Sequence, residues 1–380
     1  MNSDDLRKLC SDHSIGTIVS RAENSLNDWI IDNGILRNSK ADYFTVGLYA
    51  GEEGKPLLLM KQEESALVML LLCNINGQNS VLLSLRSEPG LIGLTNFTTT
   101  IQSTPSNYLR KHGGKSTPFV EVAMDPSTHG KILYEGTHHD WGDYYLNKTK
   151  RFLIVELKSA VDAPKGFCWV SLETVIALLH ENHLVTSDLR VAIPLLTARG
   201  VQHSARTESG PSHAENRQLF RNLGFSPDVV DSRGIGVSFF KTETKTREVN
   251  SWVQPLLVLQ KDLEICLTYA KSSTGRVYAV EQRTQPGLLG QQLWFPANKG
   301  KGKIVRTVKT SAEGGRFWRY QIEIKLLEIE NSSDATANDG GSTYWLSERD
   351  LSLLVTKPLQ TSLELRMAWS LSYAGGIDTP

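Results

Sequence analysis

Two apolar runs, Ala66–Cys73 and Ser80–Leu85, flank the turn-rich sextet N-I-N-G-Q-N and predict a buried β-hairpin. Asp42–Tyr49, Leu57–Met60, Pro118–Ala123 and Arg151–Leu157 are strand-like as well, whereas Met124–Gly136 reads as loop. Residues 1–37 carry scattered apolar points, Leu6, Leu9, Trp29, Ile30 and Ile31, and suggest one or two amphipathic helices. Phe167–Ser171 reads as a short strand that ends at a helix N-cap, Ser171, with the stripe Leu172, Val175, Ile176, Leu178 and Leu179 behind it. A second helix is predicted over Ser187–Ala198, with Pro194 as a local irregularity.

The pattern then recurs. Gly234–Phe240 is strand-like, Leu263–Tyr269 and Val277–Gln282 predict a hairpin around S-S-T-G, and Tyr320–Ile329 alternates along its whole length. Arg86-S-E-P-G-L-I-G reappears as Arg283-T-Q-P-G-L-L-G, 197 positions later. C-W-V-S at Cys168–Ser171 returns as Y-W-L-S at Tyr344–Ser347, 176 positions later, with Arg190 matched by Arg366. Repeated order with changing offset is the mark of a tandem duplication in which the second copy is shorter. The predicted class is therefore α+β, with one unit over residues 1–200, a linker over 201–216 and a second unit over 217–380. Most of the missing length falls in the polar stretch after Arg86, which contains Gln102, Thr104, Ser106, Asn107, Tyr108, Arg110, Lys111 and His112. Scaffold residues repeat because both cores need them, so the first copy is expected to carry the chemistry; drift in a loop is the alternative.

Composition narrows the classes. Lys plus Arg and Asp plus Glu both number 41, so charge alone points to no nucleic-acid or membrane partner. The longest apolar run has eight residues, far short of a membrane span, and the first thirty residues show no secretory signal pattern, so a cytoplasmic protein is expected. Four scattered cysteines without C-x-x-C or Cys/His spacing suggest reduced thiols and no structural zinc. No G-x-G-x-x-G follows a strand, and no R-E-x-x-E-E helix is present to hold magnesium for a Nudix-type hydrolysis.

The motifs resemble those of the NDP-hexose 2,3-dehydratase family of deoxysugar biosynthesis. The resemblance rests on Glu88, Pro89, Gly90, Gly93, Gln102, Thr104, Ser106, Asn107 and Tyr108, followed by Arg110, His112 and Gly114. It extends to Phe167, Trp169, Ser171 and Leu172, to Trp252, Gln254 and Pro255, and to Glu313-Gly-Gly-Arg316-Phe317. The chain departs from the family where Asp140 and Tyr144 replace Glu and Trp, where Ala312 replaces Glu, and in its shorter length. The resemblance implies tandem Nudix-like units, a homodimer, a nucleotide-linked 4-keto-6-deoxyhexose substrate (expected to be dTDP-linked), and a downstream 3-ketoreductase as functional partner in antibiotic or other natural-product biosynthesis.

Such a reaction needs a base for the C3 proton, a donor for the C4 ketone oxygen and an acid for the leaving 2-hydroxyl. It moves no hydride, so no nicotinamide is required; no cofactor is expected and no metal-binding residue is assigned. His112, Tyr108, Asn107, Asp140 and Gln102 are the candidates for catalysis. Arg86, Arg110, Arg283 and Arg316 suit a diphosphate, Thr104 and Ser106 suit sugar hydroxyls, and Trp141, Tyr144 and Trp294 offer faces to a nucleobase. The competing class is a repurposed member of the same fold, acting as another lyase or cyclase or only binding a nucleotide sugar.

Overall fold

The computed structural model describes residues 3–22, 26–40, 43–51, 54–110, 115–198, 221–245, 250–299, 302–330 and 343–374. The first half contributes strands β1 (Ile18–Arg21), β2 (Trp29–Asp32), β3 (Ile35–Asn38), β4 (Thr45–Ala50), β5 (Pro56–Lys61), β6 (Ala66–Ile75), β7 (Gln78–Ser87), β8 (Thr95–Thr98), β9 (Ile101–Ser103), β10 (Gly130–His139), β11 (Thr149–Leu157) and β12 (Phe167–Ser171). The second contributes β13 (Gly236–Glu243), β14 (Ser251–Val258), β15 (Leu263–Ser272), β16 (Gly275–Arg283), β17 (Leu293–Pro296), β18 (Lys303–Ser311), β19 (Gln321–Ile329) and β20 (Thr343–Ser347).

Each predicted hairpin organises a mixed sheet. The β6–β7 hairpin closes at Asn76 and Gly77, both with positive φ (51° and 83°), the pair of left-handed residues that a type I′ turn requires. The first sheet has the order β10-β11-β6-β7-β12, and the second repeats it as β18-β19-β15-β16-β20. In each, the second strand of the order runs parallel to the hairpin strand beside it: β11 along β6, and β19 along β15. β8 on β7 is matched by β17 on β16, whereas β9, which pairs with β6, has no counterpart among the described residues. Each unit ends in a helix pair, Leu172–Leu178 with Ser187–Thr197, and Glu348–Thr356 with Leu363–Trp369. Ser171 and Ser347 cap the first helix of each pair through their hydroxyls, as the Ser171 pattern predicts.

The two halves share one core. A single cluster of buried apolar side chains runs from Leu6 to Leu371 and includes both helix pairs. Strand β1 leaves the first half to pair with β13, so the N-terminal segment is built into a sheet of the second. The predicted linker at 201–216 lies outside the described residues.

The repeats meet in a reciprocal contact. Gly90 donates its N–H to Gly314 O at 2.8 Å, and Gly287 donates to Gly142 O at 2.7 Å. A Cβ on Gly90 would lie 1.6 Å from Phe317 O, and one on Gly287 would lie 1.8 Å from Tyr145 O. The Pro-Gly turn of each unit is thus seated on the Gly-x-x-aromatic turn of the other, too closely for any side chain. Arg319 N to Gly90 O (2.9 Å) and Asn147 N to Gly287 O (2.8 Å) complete the pair.

Several expectations change. Residues 1–37 form one helix, Ser3–Ser14, followed by β1 to β3, and Trp29–Ile31 belong to β2, where Trp29 alone turns inward. Pro118–Ala123 is not a strand: Val120–Met124 is a short helix, its β-branched residues overridden by packing of Val122 and Ala123 on the first sheet. The loop expected over Met124–Gly136 contains the start of β10. The repeated Arg190 and Arg366 are buried and donate to main-chain carbonyls, Arg190 to Leu179 and Arg366 to Thr361 and His139. Trp169 and Trp345 are only half-buried. Among the described residues no helix is long and apolar enough to cross a membrane.

The length difference between the copies has a packing cause. The outward face of the first sheet carries Leu67, Met69, Leu71, Leu153 and Val155, and Ile101, Val122 and Ala123 from the longer segment cover it. The matching face of the second sheet carries Glu264, Lys325 and Glu323, which pair with one another and need no cover. Replacing Gly287 by Ala is predicted to destabilise the protein by about 2 kcal/mol or more, since the new methyl meets a fixed carbonyl. Chemical denaturation of the variant against the parent protein measures it.

Candidate functional site

A cavity of about 350 Å³ opens between the halves. From the first half it is lined by Arg86, Glu88, Gln102, Thr104, Asn107 and Lys150, and from the second by Trp252, Gln254, Glu313, Gly315 and Arg316. Trp29, Tyr43 and Phe44 supply an aromatic wall, and the exposed Lys40 and Lys115 stand at the opening.

The first-half side chains are held by a chain of hydrogen bonds that starts at the Pro-Gly turn. Arg86 at the end of β7 donates from Nε to Glu88 Oε1 (2.6 Å) and from Nη1 to Gln102 O (2.6 Å). Glu88 Oε2 accepts from Gly315 N at 3.0 Å, so this ion pair also joins the halves. Gln102 Oε1 accepts from Thr98 at 2.9 Å, and Thr98 accepts from the N-cap hydroxyl of Thr186. Thr104 and Ser106 share a hydroxyl contact at 3.0 Å, with the Ser106 N–H held by Glu64. In the second half, Gln254 bonds Gly315 O (3.1 Å) and accepts from the Trp252 indole (3.1 Å). The Arg316 guanidinium lies 4.0 Å from the centroid of Phe44, bonded to Gly315 O and Gln62.

Behind the lining is a buried set of charges. Lys148 Nζ lies 3.0 Å from Asp140 and 2.9 Å from Glu313; Lys150 Nζ lies 2.8 Å from Asp188, 3.2 Å from Asp140 and 3.8 Å from Glu313. Lys148, Lys150, Asp140 and Asp188 side chains are at most 4% exposed, whereas Glu313 is 14% exposed. Burial would raise the Glu313 carboxyl, but Lys148 and Lys150 outweigh it and hold the group well below the usual glutamate range. Burial likewise opposes the charge on Lys150, and Asp140 and Asp188 overcome it, so Lys150 stays cationic. Asp188 is shifted upward by burial, the expected outcome where three carboxyls share two ammonium groups.

Of the residues singled out from sequence, Arg86, Gln102, Thr104, Asn107 and Arg316 line this cavity, and Ser106 supports Thr104 from a buried position. Asp140 sits behind Lys148 and Lys150, not on the lining. Tyr108 packs on the outward face of the first sheet, and the exposed Arg110 takes a left-handed backbone (φ 56°) away from the lining. His112 lies outside the described residues. The expected nucleobase platforms Trp141 and Tyr144 are corrected: both are buried in an aromatic cluster with Phe317 and Tyr320, which leaves no face for a ligand. Arg283 lies over Phe295 and Trp294 packs on Tyr344, both in the second sheet and apart from the cavity.

The duplication shows what is particular to this site. At the equivalent place in the other half, Ile322 stands for Lys150, Tyr320 for Lys148, Trp141 for Glu313 and Tyr144 for Arg316. Tyr144 and Tyr320 bond through their hydroxyls at 2.8 Å where the first site has charge. Gln285, the counterpart of Glu88, accepts from Gly142 N and donates to Asp143 (2.9 Å) and Glu364 (2.6 Å). Lys150 was not among the residues picked from sequence, and Glu313 stood there as part of a family motif without a role at the site. The available signal was Lys148 and Lys150, two residues apart just before the apolar run Phe152–Val155, with Lys150 matched by Ile322 in the copy.

Residues 17–196 match the family model described as NDP-hexose 2,3-dehydratase. The chain is 28% identical over 353 residues (76% of this chain, 72% of the relative) to a protein of Saccharopolyspora spinosa named dTDP-4-dehydro-6-deoxy-alpha-D-glucopyranose 2,3-dehydratase. It is 24% identical over 396 residues, 86% of each chain, to a protein of the same name from Streptomyces violaceoruber. Among solved structures, a Nudix hydrolase, RenU, from M. smegmatis aligns with 33% of this chain and 81% of its own at 13% identity and a TM-score of 0.20. The C-terminal domain of mouse MUTYH, in complex with human PCNA, aligns with 35% of this chain and 87% of its own at 22% identity and a TM-score of 0.23. At such scores the description of the fold rests on the strand order and register above.

The Glu364 carboxyl is pushed up to about 7 by burial and by Asp143. The folded state therefore keeps this proton to higher pH than the unfolded chain, and its stabilising effect is lost as pH rises from about 4.5 to 7. Glu364→Gln, which cannot ionise, is predicted to gain up to about 3 kcal/mol relative to the parent protein across that interval and to hold a constant difference above it. Denaturation at a series of pH values checks the slope.

Proposed function

We infer that this chain, a member of the NDP-hexose 2,3-dehydratase family, eliminates the C2 hydroxyl of a dTDP-linked 4-keto-6-deoxyhexose. The observation that carries the reading is the cavity: its lining joins the family's Glu-Pro-Gly segment from one half to its Trp-x-Gln-Pro and Glu-Gly-Gly-Arg segments from the other. Family-wide motifs distant in sequence converge on one space large enough for a sugar.

The lining divides by chemistry. The half-buried Tyr43 and Trp252 of the lining suit a nucleobase, and Arg316 with the lysines at the opening suits the diphosphate. The charged floor and the amides of Gln102, Asn107 and Gln254 suit a keto-sugar whose C4 oxygen gains charge. Removal of the C3 proton gives an enolate on O4; collapse of the enolate expels the C2 hydroxyl as water, and the remaining enol becomes a 3,4-diketone. His112 remains a candidate for proton transfer on the strength of its motif, whereas Tyr108, on the outward face of the first sheet, does not. Such a diketone is unstable, so we place a 3-ketoreductase next in a deoxysugar route of natural-product type. A homodimer in the cytoplasm is part of the same proposal.

A repurposed scaffold that only binds the nucleotide sugar is the competing reading, motivated by Asp140 and Ala312 where the family carries Glu. Incubation with the dTDP-4-keto sugar and a reductase separates the two: loss of one water by mass supports elimination, and binding of dTDP without any mass change supports the scaffold. Arg316→Met is predicted to weaken dTDP binding about tenfold or more, the loss expected for one charge-assisted contact, and titration calorimetry measures it.

A further inference from the structure

The cavity lining carries three carboxylates, Asp28, Glu88 and Glu313. Two are occupied. Asp28 pairs with Lys40 at the opening, and both Glu88 oxygens are bonded, one to Arg86 and one to the Gly315 N–H. Glu313 differs. Its Oε2 accepts from Lys148 (2.9 Å) and from the Tyr145 hydroxyl (3.2 Å), and no donor among the described residues reaches Oε1. A carboxylate held by one oxygen, with the other turned to a cavity, is positioned to exchange a proton with a bound molecule. Beside it, Lys150 supplies a cation that Asp188 and Asp140 hold in place.

Resting on the dehydratase reading, we propose that Glu313, from the second half, is the catalytic proton carrier and that Lys150, from the first, is the cation that holds the C4 ketone oxygen. Glu313 Oε1 takes the proton from C3, and the C–H electron pair moves to O4 as an enolate beside the Lys150 ammonium. The enolate then reforms the C4 carbonyl, the C2–C3 double bond forms and the C2–O bond breaks. The departing hydroxide takes the proton from Glu313, leaves as water and returns the carboxylate to its starting state. No oxidant, reductant or second acid enters. The cost is a weakened base, because the lysines lower its proton affinity. The gain is that the same lysine field stabilises the enolate, so the charge moves from one anion to another across a fixed cationic floor. The duplicated site has Trp141 and Ile322 in these two places and holds neither group.

Glu313→Gln tests the assignment. It leaves Lys148 and Lys150 facing Asp140 and Asp188, two charges against two, so the fold and dTDP affinity are expected to persist. Turnover and the exchange of the C3 hydrogen for deuterium in heavy water are expected to fall about 10²–10⁴-fold, with dTDP binding within a few-fold of the parent. Lys150→Met is expected to lose both activities to a similar extent. Should the Gln variant fail to fold, the pH profile of the parent protein decides: kcat/KM level from pH 8 down to about 5 is expected for Glu313. An acid limb at pH 6–7, the imidazole range, or a Glu313→Gln protein that keeps turnover within tenfold, overturns the proposal. Failure of the underlying reading looks different: the unaltered protein then shows neither loss of water nor C3 exchange, and the Glu313 assignment falls with it.

Discussion

The structure depends on the mutual seating of two Pro-Gly turns. Each turn donates an amide to a carbonyl of the other half and presses its glycine against a second carbonyl too closely for any side chain. This contact brings Gly315 under the Glu88 carboxylate and, four residues from Gly90, fixes the direction of Arg86. The cavity lies beside it, its two groups of residues held together by this contact and by the core that the halves share.

Duplication explains both the similarity of the halves and their division of labour. A tandem copy starts with two equal sites at the interface. Here one kept ammonium and carboxylate groups, and the other was filled by Trp141, Tyr144, Tyr320 and Ile322. A buried cluster such as Lys148, Lys150, Asp140, Asp188 and Glu313 contributes little net stability, since desolvation cancels most of the attraction. Its persistence at one site and its replacement by apolar and aromatic groups at the other fit a role in binding or reaction.

Much of the fold was legible from the chain because strand alternation, turn glycines and helix caps are local signals. The Asn76-Gly77 turn, the Ser171 cap and the repeated Arg-Pro-Gly pattern all stand in the structure where the pattern predicts them. The polar segment after Arg86 was read as a ligand loop. Among its described residues, Glu88, Pro89, Gln102, Ser103, Thr104 and Asn107 line the cavity, while Val122 and Ala123 beyond it cover an apolar sheet face that the second copy does not have. Trp141 and Tyr144 misled because an aromatic beside polar residues has the same local pattern whether it stacks on a base or fills a core. The meeting of Lys150 with the motif residue Glu313 was not legible, because they are 163 residues apart and come together through the register of β11 and the seating of the second half.

The central claim is that the halves form one cooperative body whose interface contains the site. Differential scanning calorimetry measures this directly. One transition is expected, with calorimetric and van't Hoff enthalpies equal and the whole peak moved upward by dTDP. Two resolved transitions, only one of them shifted by the nucleotide, would contradict the account.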